Sequence, residues 1–178
     1  MSIYGSLLES AANTNYIDSD SIVNEAVKVY DPDKWGDSKT NKKFKGISVG
    51  IRNRKGSTKE DNENIAYTLE EDLKILEKNW NNILDKVAEE QQNYIDMSKD
   101  AGSDDKFYSK YNTIEKNKKS LKLSVVDYFG RREKKYISFS LVFHSPVADR
   151  DNHSIFVDEV IIDIETNKLT IPYITFEG

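Results

Sequence analysis

A chain of 178 residues with 37% hydrophobic and 32% charged residues has the length of one ordinary domain and a mean hydropathy of -0.70 that suits a wet surface. No apolar run approaches the roughly 18 residues of a membrane span, the opening MSIYGSLLESAANTNY lacks a basic-then-apolar leader, and the absence of Cys removes disulfides, thiolate metal sites and Cys nucleophiles. These features predict one cytoplasmic domain over 1–178, with 1–25 as a short N-terminal arm, no membrane association and no cofactor.

The net charge of -5 hides unequal blocks. Residues 1–33 hold one Lys against six acids, 34–103 hold 13 bases against 13 acids, 104–135 hold ten against five, and 149–178 hold two against seven. A pI near 5.2 argues against nucleic acid, whose binders are strongly basic. The acidic block after residue 148 instead offers a face for a basic protein, because complementary potential speeds encounter and selects partners.

In chain order, Phe44 to Arg52 alternates Ile47, Val49 and Ile51 with small residues and reads as a half-buried strand. A polar loop follows at Gly56 to Asn64. Thr68 and Glu71 match a capping box, and Leu73, Leu76, Trp80, Ile83, Val87 and Tyr94 then recur at helical steps, widened by Leu84, Ala88, Gln91 and Ile95. This predicts one long amphipathic helix over Thr68 to Lys99, anchored by Trp80 and stopped at Gly102. A second loop spans Ala101 to Asp105, and a shorter helical stretch follows around Phe107, Tyr108, Tyr111 and Ile114, ending at Lys116 to Lys119.

Two hairpins close the chain. Leu121, Leu123 and Val125 pair with Ile137, Phe139, Leu141 and Phe143 across GRREKK, with Gly130 near the turn. Ser154 to Ile164 pairs with Leu169 to Phe176 across Glu165 to Lys168, and Pro172, having no N–H, puts the last strand at an edge or a bulge. On the penultimate strand the even residues Phe156, Val160, Ile162 and Ile164 predict the buried face, and the odd residues the wet one. The fold class is α+β, two-layer, with a mostly antiparallel sheet packed on one long amphipathic helix.

Chemistry has few candidates. His144, Asp149, Asp151 and His153 lie within ten residues, and with Asp158 or Glu159 they could ligate zinc or manganese; histidines flanking an Asx-rich turn are the plainer reading, and no metal is expected. Ser145 beside His144 cannot serve as nucleophile and base on one strand, since neighbours point to opposite faces. Gly-x-Ser-x-Gly and Gly-rich phosphate loops are absent. The chain is therefore expected not to be an enzyme. Arg131, Arg132, Lys134 and Lys135, between Phe129 and Tyr136, form a basic hairpin tip that could hold phosphates or an acidic partner; charges that keep strand edges soluble are the plainer reading.

The order of features carries a resemblance. Tyr30-Asp31-Pro32 is followed by Trp35-Gly36, Asn79-Trp80 sits in the long helix, and 120–145 (SLKLSVVDYFGRREKKYISFSLVFHS) and 153–178 (HSIFVDEVIIDIETNKLTIPYITFEG) end at Gly178. Over Tyr30 to Gly178 this resembles an uncharacterised family of small bacterial α+β domains found in polymorphic toxin loci and presumed to be immunity proteins. Glu159 stands where that family usually has His, and Thr166-Asn167 replaces its Gly turn. The resemblance implies a protein-binding inhibitor that neutralises a cognate toxin, with no catalytic residues to transfer. A phage-encoded inhibitor of a host defence protein would share the same size, acidity and lack of motifs. The enzymatic alternative is a metal-assisted hydrolase built on the 144–153 loop. The partner-binding residues expected are Asp149, Asp151, Glu159 and Asp163. Oligomeric state has no signal in the sequence.

Overall fold

The structure, a computed structural model, describes residues 29–30, 38–52, 59–102 and 105–178; the expected N-terminal arm lies outside them. The elements are β1 (Val29–Tyr30), β2 (Ser38–Phe44), β3 (Ile47–Ile51), α1 (Lys59–Lys78), α2 (Trp80–Asp100), α3 (Asp105–Tyr108), a 3-10 turn (Ser109–Tyr111), α4 (Ile114–Ser120), β4 (Lys122–Arg132), β5 (Tyr136–His144), α5 (Pro146–Arg150), β6 (Ser154–Asp163), β7 (Leu169–Thr170) and β8 (Thr175–Glu177). They make an α+β fold around one sheet in the order β1-β2-β3-β4-β5-β6-β7, with β8 also on β6. Every pairing is antiparallel except β3 with β4. That parallel pair needs a long crossover, which the helices between them supply.

Leu69, Leu76, Trp80, Ile83 and Val87 from the helices bury against Val126, Tyr128, Ile137, Phe139, Leu141, Phe143, Ile155, Val157, Val160 and Ile162 on one sheet face. Trp80 is the expected anchor, edge-on to Phe44 at 5.1 Å and tilted against Phe143 at 5.8 Å between ring centroids. Past Val87 the stripe moves to Gln91 and Ile95. There a second cluster gathers Ile95, Tyr108 and Val147 under Tyr94, Phe107 and Tyr111.

The long helix is two helices. At Asn79 the side-chain amide donates to the Ile75 carbonyl at 3.0 Å, so the Asn79 backbone N–H turns to Leu76 O at 3.1 Å. A side chain that takes the i−4 carbonyl competes with the helical ladder, and the ladder breaks. Thr68 is no cap, because α1 already starts at Lys59, inside the stretch expected to be a loop; its hydroxyl instead meets the Tyr128 hydroxyl at 2.8 Å. The C-terminal stop holds: Gly102 has φ +89 and its N–H bonds Lys99 O at 2.9 Å.

The strands differ in detail from the pattern in the sequence. Phe44 belongs to β2, a separate strand that turns into β3 at Lys45-Gly46, both at positive φ. Gly130 is not in the β4–β5 turn. It sits inside β4 at φ +83, where the register shifts, as a bulge requires. Leu169 to Phe176 is two short strands, β7 on Ile161 and Ile162 and β8 on Ser154 to Phe156, with Ile171 to Ile174 leaving the ladder around Pro172. The even–odd rule on β6 also fails in part. Phe139 pairs with Val160 and Leu141 with Val157, so β6 spends one residue more than β5, and the buried set changes from Ile155 and Val157 to Val160 and Ile162 across that bulge.

Candidate interaction surface

The 144–153 segment folds around α5. Ser145 caps that helix, accepting from Ala148 N at 3.1 Å and donating to Gln91 Oε1 at 2.6 Å, while Pro146 opens the first turn. His144 and His153 thereby end up at opposite ends of the helix. His144 Nδ1 lies 3.6 Å from Asp149 Oδ1. Asp151 accepts a hydrogen bond from the Tyr94 hydroxyl, which stands 3.4 Å from His153 Nδ1. Burial, and then the bond to Asp151, push the Tyr94 phenol well above its ordinary value. Tyr94 also stacks on Phe176 at 4.4 Å and 10°, tying α2 to the last strand. Among the described residues no group of three His, Asp or Glu could hold a metal ion; the loop divides its carboxylates between two separate contacts.

Glu159 and Asp163 sit farther along β6, beside the basic hairpin tip. Glu159 Oε2 is 3.9 Å from Arg132 and Asp163 Oδ2 is 3.9 Å from Lys135. Asp163 Oδ1 also accepts from the backbone N–H groups of Glu165 and Thr166 at 2.9 and 3.0 Å. Those backbone donors hold its carboxyl below the usual range. The positive and negative blocks of the sequence are therefore neighbouring strands, and part of their charge cancels between them. Along a strand of this length, about 30 Å at about 3.3 Å per residue, Asp149 and Asp151 stand near one end and Asp163 at the other. The four expected residues do not form one patch.

The bulge on β6 leaves Asp158 pointing to solvent, and no ion pair reaches it among the described residues. Opposite it on the sheet edge, between the β7 and β8 pairings, Ile171 and Ile174 pack into the core while Tyr173 is 59% exposed. An irregular edge thus presents an aromatic ring and a free carboxylate. Tyr173 escaped sequence reasoning, because an apolar run ending the chain reads as a continuous strand; Pro172 was the one signal of a break.

The sheet face away from the helices carries Val125, Val142 and Phe156, paired in one row across β4, β5 and β6, all half-buried. Ser140 and Asp127 pair beside them, with Arg52 at 3.5 Å from Asp127. Among the described residues no helix is long and apolar enough to cross a membrane. No family model matches the chain, and no curated protein or solved structure matches it significantly.

Proposed function

We propose that the protein is an inhibitor that works by binding another protein, of the immunity type that neutralises a cognate bacterial toxin. The observation that carries this reading is the opened edge of the sheet, where Tyr173 and Asp158, each exposed, lie in the stretches between the β7 and β8 pairings. Tyr is enriched at interface anchors because it brings a large, stiff, amphipathic surface. Irregular edges are also where natural sheets steer what may pair with them. Several of the ionisable side chains that might have done chemistry have partners within the chain: His144 faces Asp149 at the surface, Tyr94 donates to Asp151, and Arg131 pairs with the buried Asp72. The resemblance of 120–145 and 153–178 to presumed immunity domains points the same way.

The partner is a protein offering a cavity for Tyr173 flanked by Lys or Arg for Asp158 and Glu177. Co-expression with the product of the neighbouring gene should give a complex that survives purification and restores growth. Truncating a central Tyr anchor costs about 2 kcal/mol or more, a factor of about 30 in Kd, so Tyr173→Ala should weaken that complex by such a factor while leaving the fold intact. No complex and no growth rescue overturns the reading.

A further inference from the structure

We propose that Arg150, held over the rings of Phe107 and Tyr108, is a docking point for a carboxylate side chain of a partner protein. Arg150 ends α5 and lies against α3. Its guanidinium carbon stands 4.5 Å from the Phe107 ring centroid and 5.2 Å from that of Tyr108. Those two rings meet edge to face at 5.1 Å, and Tyr111 tilts against Phe107 at 5.7 Å. Tyr108 is buried with Val147 and Ile95, so the platform is built on the second apolar cluster, while Arg150 itself is exposed. Among the described residues no carboxylate pairs with Arg150, although an acid stands on either side of it in the chain. Asp149 faces His144 at 3.6 Å, and Asp151 takes the Tyr94 hydroxyl. Attraction to the rings positions the cation and leaves its N–H fork free.

An arginine so placed docks at small entropic cost. A long side chain ordinarily loses its rotamer freedom on binding, and here the ring contacts and the capped turn of α5 restrict it beforehand. Its fork matches a carboxylate bidentately. The half-buried rings of Phe107 and Tyr111 add apolar surface beside it, and Arg with aromatic residues is the combination that interface centres favour. A run of phosphates suits the place less well. Asp149 and Asp151 are exposed next to the cation, on a chain of net charge -5, and would repel a dense polyanion far more than a single Asp or Glu. The same two acids favour a partner whose carboxylate is bordered by Lys or Arg. Nothing in this contact depends on the Tyr173 edge or on the partner's being a toxin.

The probe is the capped tripeptide acetyl-Leu-Glu-Leu-amide, with acetyl-Leu-Gln-Leu-amide as its neutral match, followed by NMR on the full chain through the arginine Nε–H signals. The Glu peptide should shift the Arg150 signal and half-saturate it within about 10 mM, the strength of one bidentate charged contact. The Gln peptide should leave that signal in place, and the Arg131 signal, already committed to Asp72, should move with neither. Backbone amide shifts of Phe107 and Tyr111 report on the variants. Arg150→Lys keeps the charge and removes the fork, and should raise the half-saturating concentration at least about fivefold while circular dichroism stays that of the parent. Phe107→Leu, which takes away the nearer ring, should weaken binding in the same direction, read at Arg150. No shift at Arg150 with the Glu peptide overturns the proposal. So does an equal shift at Arg132, the mark of unspecific charge attraction, or equal binding by Arg150→Lys. A short DNA single strand that moves Arg150 where the Glu peptide does not also overturns it, and gives the site to phosphate.

Discussion

Arg131 on β4 grips Asp72 on α1: its Nε donates to both carboxylate oxygens at 3.2 Å and its Nη2 to Oδ1 at 2.6 Å, and Asp72 is fully buried. The Tyr128 hydroxyl donates to the same carboxylate, and Glu71 takes the outer side of the guanidinium. The hairpin that carries the basic tip is thus fixed to the first helix by a desolvated charge.

Removing one partner of a buried pair leaves the other without compensation, at about 3–5 kcal/mol. Arg131→Ala should therefore lower the midpoint of thermal unfolding by about 6–20 °C, at about 2–4 °C per kcal/mol for a chain this size. Arg131→Met combined with Asp72→Leu should recover most of that loss, because apolar replacement of both ions removes the penalty with the attraction. A double variant no more stable than Arg131→Ala would mean that the pair specifies the packing as well as balancing its own desolvation.

Trp80 gives the matching test for the apolar part of the core. Its ring lies between Phe44 and Phe143 and is 8% exposed. Trp80→Ala should cost about 3–5 kcal/mol through lost transfer energy and the cavity left behind. Chemical denaturation would show a lower midpoint with an unchanged slope; a midpoint equal to the parent's would mean the site is not core.

Helix periodicity made Trp80, Ile83 and Val87 legible, because burial against a sheet demands an apolar stripe at steps of three and four. Asn79 was not legible as a break. Its amide reaches Ile75 O and Asn167 Oδ1, at 3.0 Å each, and a partner 88 positions away leaves no local trace. Strand β2 was hidden for a similar reason. Thr40 is buried by donating to Val49 O at 2.9 Å, so a polar run, SKTNKKF, shows no alternation of apolar side chains. The surface suffered most from bulges. One extra residue at Asp158 and Glu159 reverses which parity faces in, and charge counting along the chain could not foresee that Arg132 and Lys135 would answer Glu159 and Asp163 across strands.

The tyrosines set the alkaline limit of stability. Burial first, and then bonds to Asp72 and to Asp151, push the Tyr128 and Tyr94 phenols far above their usual values. A group whose folded-state value is raised contributes stability that is present below its unfolded value, about 10 for Tyr, and lost as pH climbs above it, because only the unfolded chain can then release the proton. Stability should thus fall steadily above about pH 10, and the Tyr94→Phe, Tyr128→Phe double variant should flatten that limb. In absorbance titration of the native protein these two of the ten tyrosines should not ionise until the fold opens. A double variant with the parent's slope above pH 10 would sink the assignment.

Gln91 is the joint between the helical layer and the capped turn. It is fully buried, its amide nitrogen donates to Asn117 Oδ1 at 2.7 Å and Ser120 Oγ at 2.9 Å, and its oxygen accepts from Ser145 at 2.6 Å. Gln91→Leu leaves Asn117, Ser120 and Ser145 each short of a partner, at about 1–3 kcal/mol per buried group. Gln91→Glu keeps the shape but replaces a donor by a carboxylate oxygen facing two acceptors. Its acid should be raised by burial and by the acceptors that face its second oxygen, so the penalty is small below the ordinary Glu value of about 4.3 and grows as pH rises past it. Thermal melts of Gln91→Glu between pH 4 and 7 should therefore fall relative to the parent as pH increases, whereas Gln91→Leu should run parallel to the parent at a constant offset. Parallel curves for both variants would mean that the Glu side chain has left the network for solvent.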